Sequence, residues 1–273
     1  MNNKFEINMT NNISTVLTKV REKTPLVHSI TNYVTINDCA NILLAFGASP
    51  AMVEAYDETY DFAKISSAIY INIGTLTKEQ EQAMIMAVLS AKNNNIPVVL
   101  DPVACGAIKR KIDFIQRIFE IGKIDIIKGN LGEIKYLAGY ESKIRGVDSI
   151  DDGSNSVEAC VSLAKKYNCI VAATGAQDII TDGERTAVIE NGTSLLTLVT
   201  GAGCMVGALT AAAAAVEKDK FLAAVASVLS MNLAGEHATK TAKAPGSFKV
   251  KLIDEIYLLK EDDFGKEGKI QWI

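Results

Sequence analysis

Five short runs rich in β-branched residues alternate along this chain with longer stretches of helical period: LVHSI (26–30), AIYINIG (68–74), PVVLD (97–101), DIIKG (125–129) and CIVAAT (169–174). Each is bounded by Gly, Pro or Asp and reads as a strand. The stretch from Thr77 to Asn95 opens with T-K-E-Q, in which Thr77 and Gln80 can satisfy each other's free backbone N–H groups, and it continues at helical spacing. Similar helices follow PVVLD and DIIKG. Strands joined by connections long enough to hold a helix pair in parallel and need cover on both faces. The expected architecture is therefore α/β, a three-layer α/β/α sandwich around a mostly parallel sheet. A length of 273 residues with 48% hydrophobic composition suits one such domain over 1–273.

Two segments interrupt the alternation. GYESKIRGVDSIDDGSNS (139–156) is polar and turn-rich and is read as a surface excursion rather than a linker between domains. DIITDGERTAVIENGTSLL (178–196) carries Asp182-Gly183 and Asn191-Gly192 between β-rich runs, which predicts two hairpin turns at an antiparallel edge. The last third reads as largely helical.

Composition narrows the chemistry. A net charge of −4 supplies no broad basic field for nucleic acid. The five cysteines are odd in number and have no C-x-x-C spacing, which argues against a disulfide framework or a zinc site and for reduced thiols in a cytoplasmic protein. The N-terminus lacks the apolar core of a secretory signal, and the longest apolar stretches fall short of a bilayer span. His28 and His237 lie far apart and read as structural or pocket-lining residues.

Three features fall where an open parallel sheet binds ligands, beyond the carboxyl ends of its strands. Asp101 closes PVVLD, where it could hold Mg²⁺ or merely shape the turn before Pro102. Lys128 ends a strand, and in KGNLGEI the spacing of Asn130 and Glu133 fits an N-cap and its N3 partner as well as a catalytic acid. TGAGC (200–204) precedes an alanine-rich helix, so its glycines either leave N–H groups bare for an anion or provide a tight turn. Gly207 falls one residue too late for a dinucleotide fingerprint, and no G-x-x-x-x-G-K-S/T loop occurs. An NAD-dependent oxidoreductase is thereby disfavoured.

PLVHSITNYVTINDCANILLAFGASPAM, INIGTL, VVLDPV, KGNLGEI, AATGAQD and TGAGCM occur in the order and spacing of the hydroxyethylthiazole kinases, within the ribokinase-like superfamily, and the chain resembles that family from about Pro25 to Gly235. The resemblance implies transfer of the γ-phosphoryl group of ATP to 4-methyl-5-(2-hydroxyethyl)thiazole, a salvage step toward thiamine, with Mg²⁺ as the metal. It implies that Met52, Gly201 and Asn32 contact the thiazole and that Lys128 and Thr174 contact ATP. Asp101 and Glu133 would organise Mg²⁺, and Gly201, Ala202, Gly203 and Cys204 would form the anion hole. It further implies a homotrimer with active sites between subunits. Many members carry arginine at the position of Lys128, so the lysine predicts a less geometrically specific grip on phosphate.

Cys204 stands where sugar kinases of the superfamily place an aspartate base. A thiol near its ordinary pKa of ~8.5, lowered at a helix N-terminus, is a poorer base near neutrality than a poised carboxylate. Phosphoryl transfer through a loose transition state tolerates this, because positioning and charge stabilisation supply most of the acceleration. The rivals are a kinase for a hydroxymethylpyrimidine or pyridoxal and a non-catalytic sensor. Against a sensor stands the co-occurrence of two acids and an anion hole, which binding alone does not require.

Overall fold

Strands whose side chains are buried on both faces need two covering layers, and the computed structural model shows both. It describes residues 3–140, 144–145, 148–149 and 155–273. The first third contains α1 (Asn3–Lys23), β1 (Leu26–Ile30), α2 (Ile36–Phe46), β2 (Ser49–Ala51), α3 (Tyr56–Ile65), β3 (Ala68–Asn72) and α4 (Lys78–Asn94). The middle contains β4 (Val98–Asp101), α5 (Lys109–Ile121), β5 (Ile126–Asn130), α6 (Leu131–Ala138), the short pair β6 (Ile144–Arg145) and β7 (Asp148–Ser149), and α7 (Ser156–Tyr167). The last third contains β8 (Ile170–Thr174), β9 (Asp178–Thr181), β10 (Thr186–Ile189), α8 (Ala202–Val216), α9 (Lys220–Thr239), α10 (Pro245–Leu258), α11 (Glu261–Glu267) and β11 (Ile270–Trp272).

Nine strands form one sheet in the order β11-β10-β9-β8-β5-β4-β3-β1-β2. Pairing is parallel from β2 to β8 and antiparallel from β8 to β11. Alternate side chains divide between two cores. Val27, Ala68, Tyr70 and Val99 face α1, α2, α8 and α9, whereas Ile30, Ile69, Ile71 and Leu100 face α4 to α7. The expected three-layer sandwich is what the chain forms.

The five strand runs and the Thr77–Gln80 capping box are present as read. Asp182-Gly183 does turn β9 into β10. Asn191-Gly192 does not form a second hairpin. The Glu236 carboxylate on α9 accepts the Gly192 N–H at 2.9 Å, the chain continues into a 3₁₀ turn at Ser194–Leu198, and β11 from the far C-terminus takes the free edge of β10. Most of the excursion read over 139–156 lies outside the described residues. Among the described residues no helix is long and apolar enough to cross a membrane.

Candidate active site

From β1 the chain steps outward to β2 and then returns to β3 on the other side, so the strand order reverses between β1 and β3. Such a reversal opens a crevice at the carboxyl ends of the strands. Asn32 just beyond β1, Asn72 at the end of β3, Asp101 at the end of β4 and Lys128 in β5 meet there, and Asn72 and Asp101 are register partners.

A hydrogen-bond network joins them. The Asp101 Oδ2 accepts from the Tyr70 hydroxyl at 3.0 Å, the Asn72 amide at 3.1 Å and the Lys128 Nζ at 3.4 Å. The Asn72 amide also approaches the Cys204 Sγ at 3.2 Å, and the Asn32 amide donates to the Asn72 Oδ1 at 2.9 Å and to the same sulfur at 3.3 Å. Tyr70 is held by close helix packing, since a Cβ at Gly207 of α8 would lie 2.4 Å from its ring. The third glycine of the TGAGCMVG stretch therefore belongs to the site through packing.

The N-terminal turn of α8 crosses above this network. Gly201 sits at φ +89°, a left-handed conformation that glycine adopts without penalty, and a Cβ there would come within 2.6 Å of Thr35. A Cβ at Gly203 would lie 3.1 Å from the Lys128 Nζ, so the absence of a side chain lets the ammonium reach the helix mouth. The Ala202 N–H is turned back to the Val199 carbonyl at 3.2 Å, and the ladder begins with Met205 donating to Gly201 at 2.8 Å. Between them lie Gly203 and Cys204, whose N–H groups belong to the first turn that an α-helix leaves without internal acceptors. Of the N–H groups expected to form an anion hole over Gly201–Cys204, that of Ala202 is thus already paired.

Asp101 and Lys128 are 1% and 3% exposed, so both ions are held out of water. Burial pushes the Asp101 carboxyl above its ordinary range, opposed chiefly by Lys128. Burial alone would lower the Lys128 pKa, but its acidic neighbours, Asp101 foremost, outweigh it and keep the ammonium charged. Glu133 caps α6 with Asn130, as the spacing allowed: its Oε2 accepts the Asn130 N–H at 2.9 Å and its Oε1 the Ala104 N–H at 2.7 Å. Burial first and Asp101 second push its carboxyl up to about 7. A second buried lysine, Lys111, also faces Glu133 and Asp101 but bonds the Gly74 and Val103 carbonyls, and a hard divalent cation beside the two acids would favour their charged forms. Among the described residues no group of three or more His, Cys, Asp or Glu forms a metal cage. Two carboxylates suit Mg²⁺, which keeps several waters and takes its other oxygens from phosphate.

The expectation for Cys204 is corrected in direction. Its pKa is raised, because burial and the nearby Asp101 outweigh Lys128 and the donors around the sulfur. The thiol is therefore protonated at neutral pH.

Met52 stands just beyond β2, partly buried against the α8 side of the core. Thr174 closes β8 beside Asn130, with its hydroxyl bonded to the Gly129 carbonyl at 3.3 Å. An open cavity of about 400 Å³ lined by Val34, Asp38, Leu198, Pro245 and Lys249 adjoins the glycine turn, where Asp38 lies 3.7 Å from the place of a Gly201 Cβ. His28 bonds the Val53 carbonyl and His237 the Glu267 carboxylate, both structural contacts. Asn72 and Tyr70 were not anticipated from the sequence. Their one visible signal is a polar amide at the tip of a buried strand, before Gly74.

The reversed strand order, the helix mouth over an acid–lysine pair and the antiparallel edge define a ribokinase-like fold, which a ribokinase-like superfamily protein from Enterococcus faecalis V583 shares at a TM-score of 0.58 and 13% identity, over 86% of this chain and 87% of that one. The chain belongs to the hydroxyethylthiazole kinase family, whose model matches residues 17–262. It is 71% identical to the hydroxyethylthiazole kinase of Clostridium novyi (strain NT), over 97% of this chain and all of that protein. A hydroxyethylthiazole kinase protein from Pyrococcus horikoshii OT3 superposes with a TM-score of 0.88 at 39% identity, covering 96% of this chain and 98% of that one.

Proposed function

We propose that this chain transfers the γ-phosphoryl group of ATP to the primary alcohol of 4-methyl-5-(2-hydroxyethyl)thiazole, a cytoplasmic salvage step toward thiamine. The observation that carries the reading is the buried Lys128 ammonium, held by Asp101, that stands 3.1 Å from the place of a Gly203 Cβ at the mouth of α8. A phosphoryl group in flight spreads negative charge over its equatorial oxygens, and that point offers a buried cation beside first-turn N–H groups. Lys128 and Thr174 hold the triphosphate. Met52, Asn32 and Gly201 hold the thiazole so that its hydroxyl lies in line with the terminal phosphorus. The alcohol oxygen then forms the new P–O bond as the bond to the departing ADP oxygen breaks.

Asp101 and Glu133 would hold Mg²⁺, directly or through water, and that ion would neutralise phosphate charge. Asp101 otherwise fixes Lys128, and Asn72 fixes Asp101 relative to the thiol. A protonated Cys204 does not act as a strong base. Its place is to receive the Asn32 and Asn72 amides and to shape the wall beside the hydroxyl, whose proton passes late in a loose transfer to an oxygen of the arriving phosphoryl group. Tyr33, Val34 and Leu198 expose apolar surface beside the cavity, which supports a homotrimer whose neighbouring subunit completes the thiazole pocket.

The test is mass spectrometry of the thiazole alcohol incubated with ATP, Mg²⁺ and the chain, alongside a hydroxymethylpyrimidine and pyridoxal. One phosphoryl added to the thiazole at the highest kcat/KM is expected, and preferential phosphorylation of another alcohol overturns the reading. Sedimentation of a fully active monomer would dispose of the shared pocket.

A further inference from the structure

The segments that carry Asn32 and Met52 come from different strands, and no backbone pairing joins them beyond the His28–Ala51 partners of β1 and β2. Two buried side chains make the connection. Gln80, 1% exposed in the first turn of α4, donates its amide Nε2 to the Thr31 carbonyl at 3.1 Å and to the Glu54 Oε2 at 3.1 Å. Thr31 immediately precedes Asn32, and Glu54 lies two residues after Met52. The other end of the same side chain, Oε1, accepts the Thr77 N–H at 3.3 Å and completes the helix cap. His28, fully buried in β1, bonds the Val53 carbonyl through Nε2 at 2.7 Å. Its ring stands edge-on to Phe62 of α3, with centroids 5.1 Å apart. A carbonyl only accepts, so His28 carries its proton on Nε2.

We propose that Gln80, backed by His28, is a positioning residue that sets the distance between the Asn32 and Met52 segments and so determines which ring-bearing alcohol the crevice admits. The inference rests on reading Asn32 and Met52 as thiazole contacts. Gln80 touches no reacting atom. It acts through Thr31 and Glu54, and the capping box anchors it to the end of a 17-residue helix, which makes it a stiff spacer. Each of its amide hydrogens serves one of the two segments, so one side chain fixes both.

The two functions of Gln80 can be separated in one variant. Gln80→Glu keeps an oxygen for the Thr77 N–H and therefore keeps the cap, but it has no donor for Thr31 and sets a carboxylate against Glu54. Its KM for the thiazole alcohol should rise about tenfold, the scale of a lost charge-assisted bond. KM for ATP and kcat should stay within about twofold. Adding Glu54→Gln should recover most of the loss, because the new amide at position 54 can donate to the carboxylate at position 80. Glu54→Ala, at a half-buried position off the helix cap, should raise the thiazole KM about threefold and serves if Gln80→Glu folds poorly.

An unchanged thiazole KM in both Gln80→Glu and Glu54→Ala, or an equal rise of both substrates' KM without rescue by Glu54→Gln, overturns the inference while leaving the kinase reading intact. Failure of the unaltered chain to phosphorylate the thiazole alcohol overturns the kinase reading and the inference together.

Discussion

The crevice is built from two unlike halves. Around the ends of β1, β2 and β3 the buried polar groups are neutral: Asn32, Asn72, Gln80 and His28 hold one another and the backbone through amide and imidazole bonds. Around the ends of β4 and β5 and the mouth of α8 they are charged: Asp101, Lys128 and Glu133. A buried amide with satisfied hydrogen bonds costs little, whereas a buried ion costs several kcal/mol even when paired. Charges are therefore concentrated where charge moves, and shape is set by neutral groups apart from the Glu54 carboxylate that receives the Gln80 amide. Asn72 is the joint, with its carbonyl oxygen on the neutral side and its amide on Asp101 and the thiol.

Lys128→Met should break this division most visibly if the division is wrong. It removes the one lysine that forms an ion pair with Asp101 among the described residues, since the other buried lysine nearby, Lys111, spends its Nζ on the Gly74 and Val103 carbonyls. A fall in kcat of about 10³ is expected, in the range for loss of one transition-state stabiliser, with the thiazole KM within about threefold. Denaturant unfolding should show a loss of about 3–5 kcal/mol, since one partner of a buried pair is left unpaired. If the thiazole KM moved as far as kcat, the two halves would not be separable.

Cys204 lies on the boundary, and its substitution tests which half it serves. Cys204→Ala should lower kcat by about tenfold at saturating substrate, as befits a wall rather than a base. Cys204→Asp should retain or increase the rate, because the Asn32 and Asn72 amides that now approach sulfur can donate to a carboxylate. Complete loss of activity in both variants would make the thiol indispensable.

The charged half was far more legible in the sequence than the neutral half. Asp101 before proline, Lys128 at a strand end and the glycines at 201 and 203 each carry a local pattern that fits a turn as well as a site, and it is their occurrence together at neighbouring strand tips that favours the site. Asn72 shows only a polar amide at a strand tip, and Tyr70 shows nothing. Their role depends on the register of β3 against β4 and on the approach of α8 more than a hundred residues later, which no window of sequence contains. The same limit hid β11, whose pairing with β10 spans about eighty residues, and β2, three residues long with a proline at its centre. The helix α1 was passed over for another reason. Its apolar positions Met9, Ile13, Val16, Leu17 and Val20 keep helical spacing, but Asn and Thr between them lower the helix propensity of the run. The direction of the Cys204 shift is not legible in the sequence, because a helix mouth there shows neither the burial of the thiol nor the acid beneath it.

Gly207→Ala would probe whether the joint depends on packing. The added methyl group meets the Tyr70 ring at 2.4 Å inside a filled core, so about 1–3 kcal/mol of stability should be lost. Displacing Tyr70 also removes a donor from Asp101, and kcat should fall severalfold with little change in either KM. Thermal melts and steady-state rates on the same preparation check both expectations.

The smallest effect on activity is expected at Asp178, a carboxylate on the charged side that the proposed chemistry does not use. It begins β9, accepts the Gly175 N–H at 3.0 Å and the Asn232 amide at 2.6 Å, and thereby closes the turn that follows Thr174. Burial pushes its carboxyl up to about 6 from an ordinary 3.8, against the pull of Asn232, Gly175 and Lys128. The folded chain thus binds this proton more tightly than the unfolded one does. The stabilisation is complete below about pH 4 and is lost as the pH rises to about 6, a change on the order of 2–3 kcal/mol. Asp178→Asn can keep both bonds if the Asn232 amide turns over, and it carries no charge at any pH. Its stability relative to the unaltered chain should therefore improve between pH 4 and pH 7, with the ATP KM within about threefold. Parallel pH–stability curves would mean that the Asp178 charge costs the fold nothing, and that ions are admitted to this half of the crevice for reasons other than the charge that moves through it.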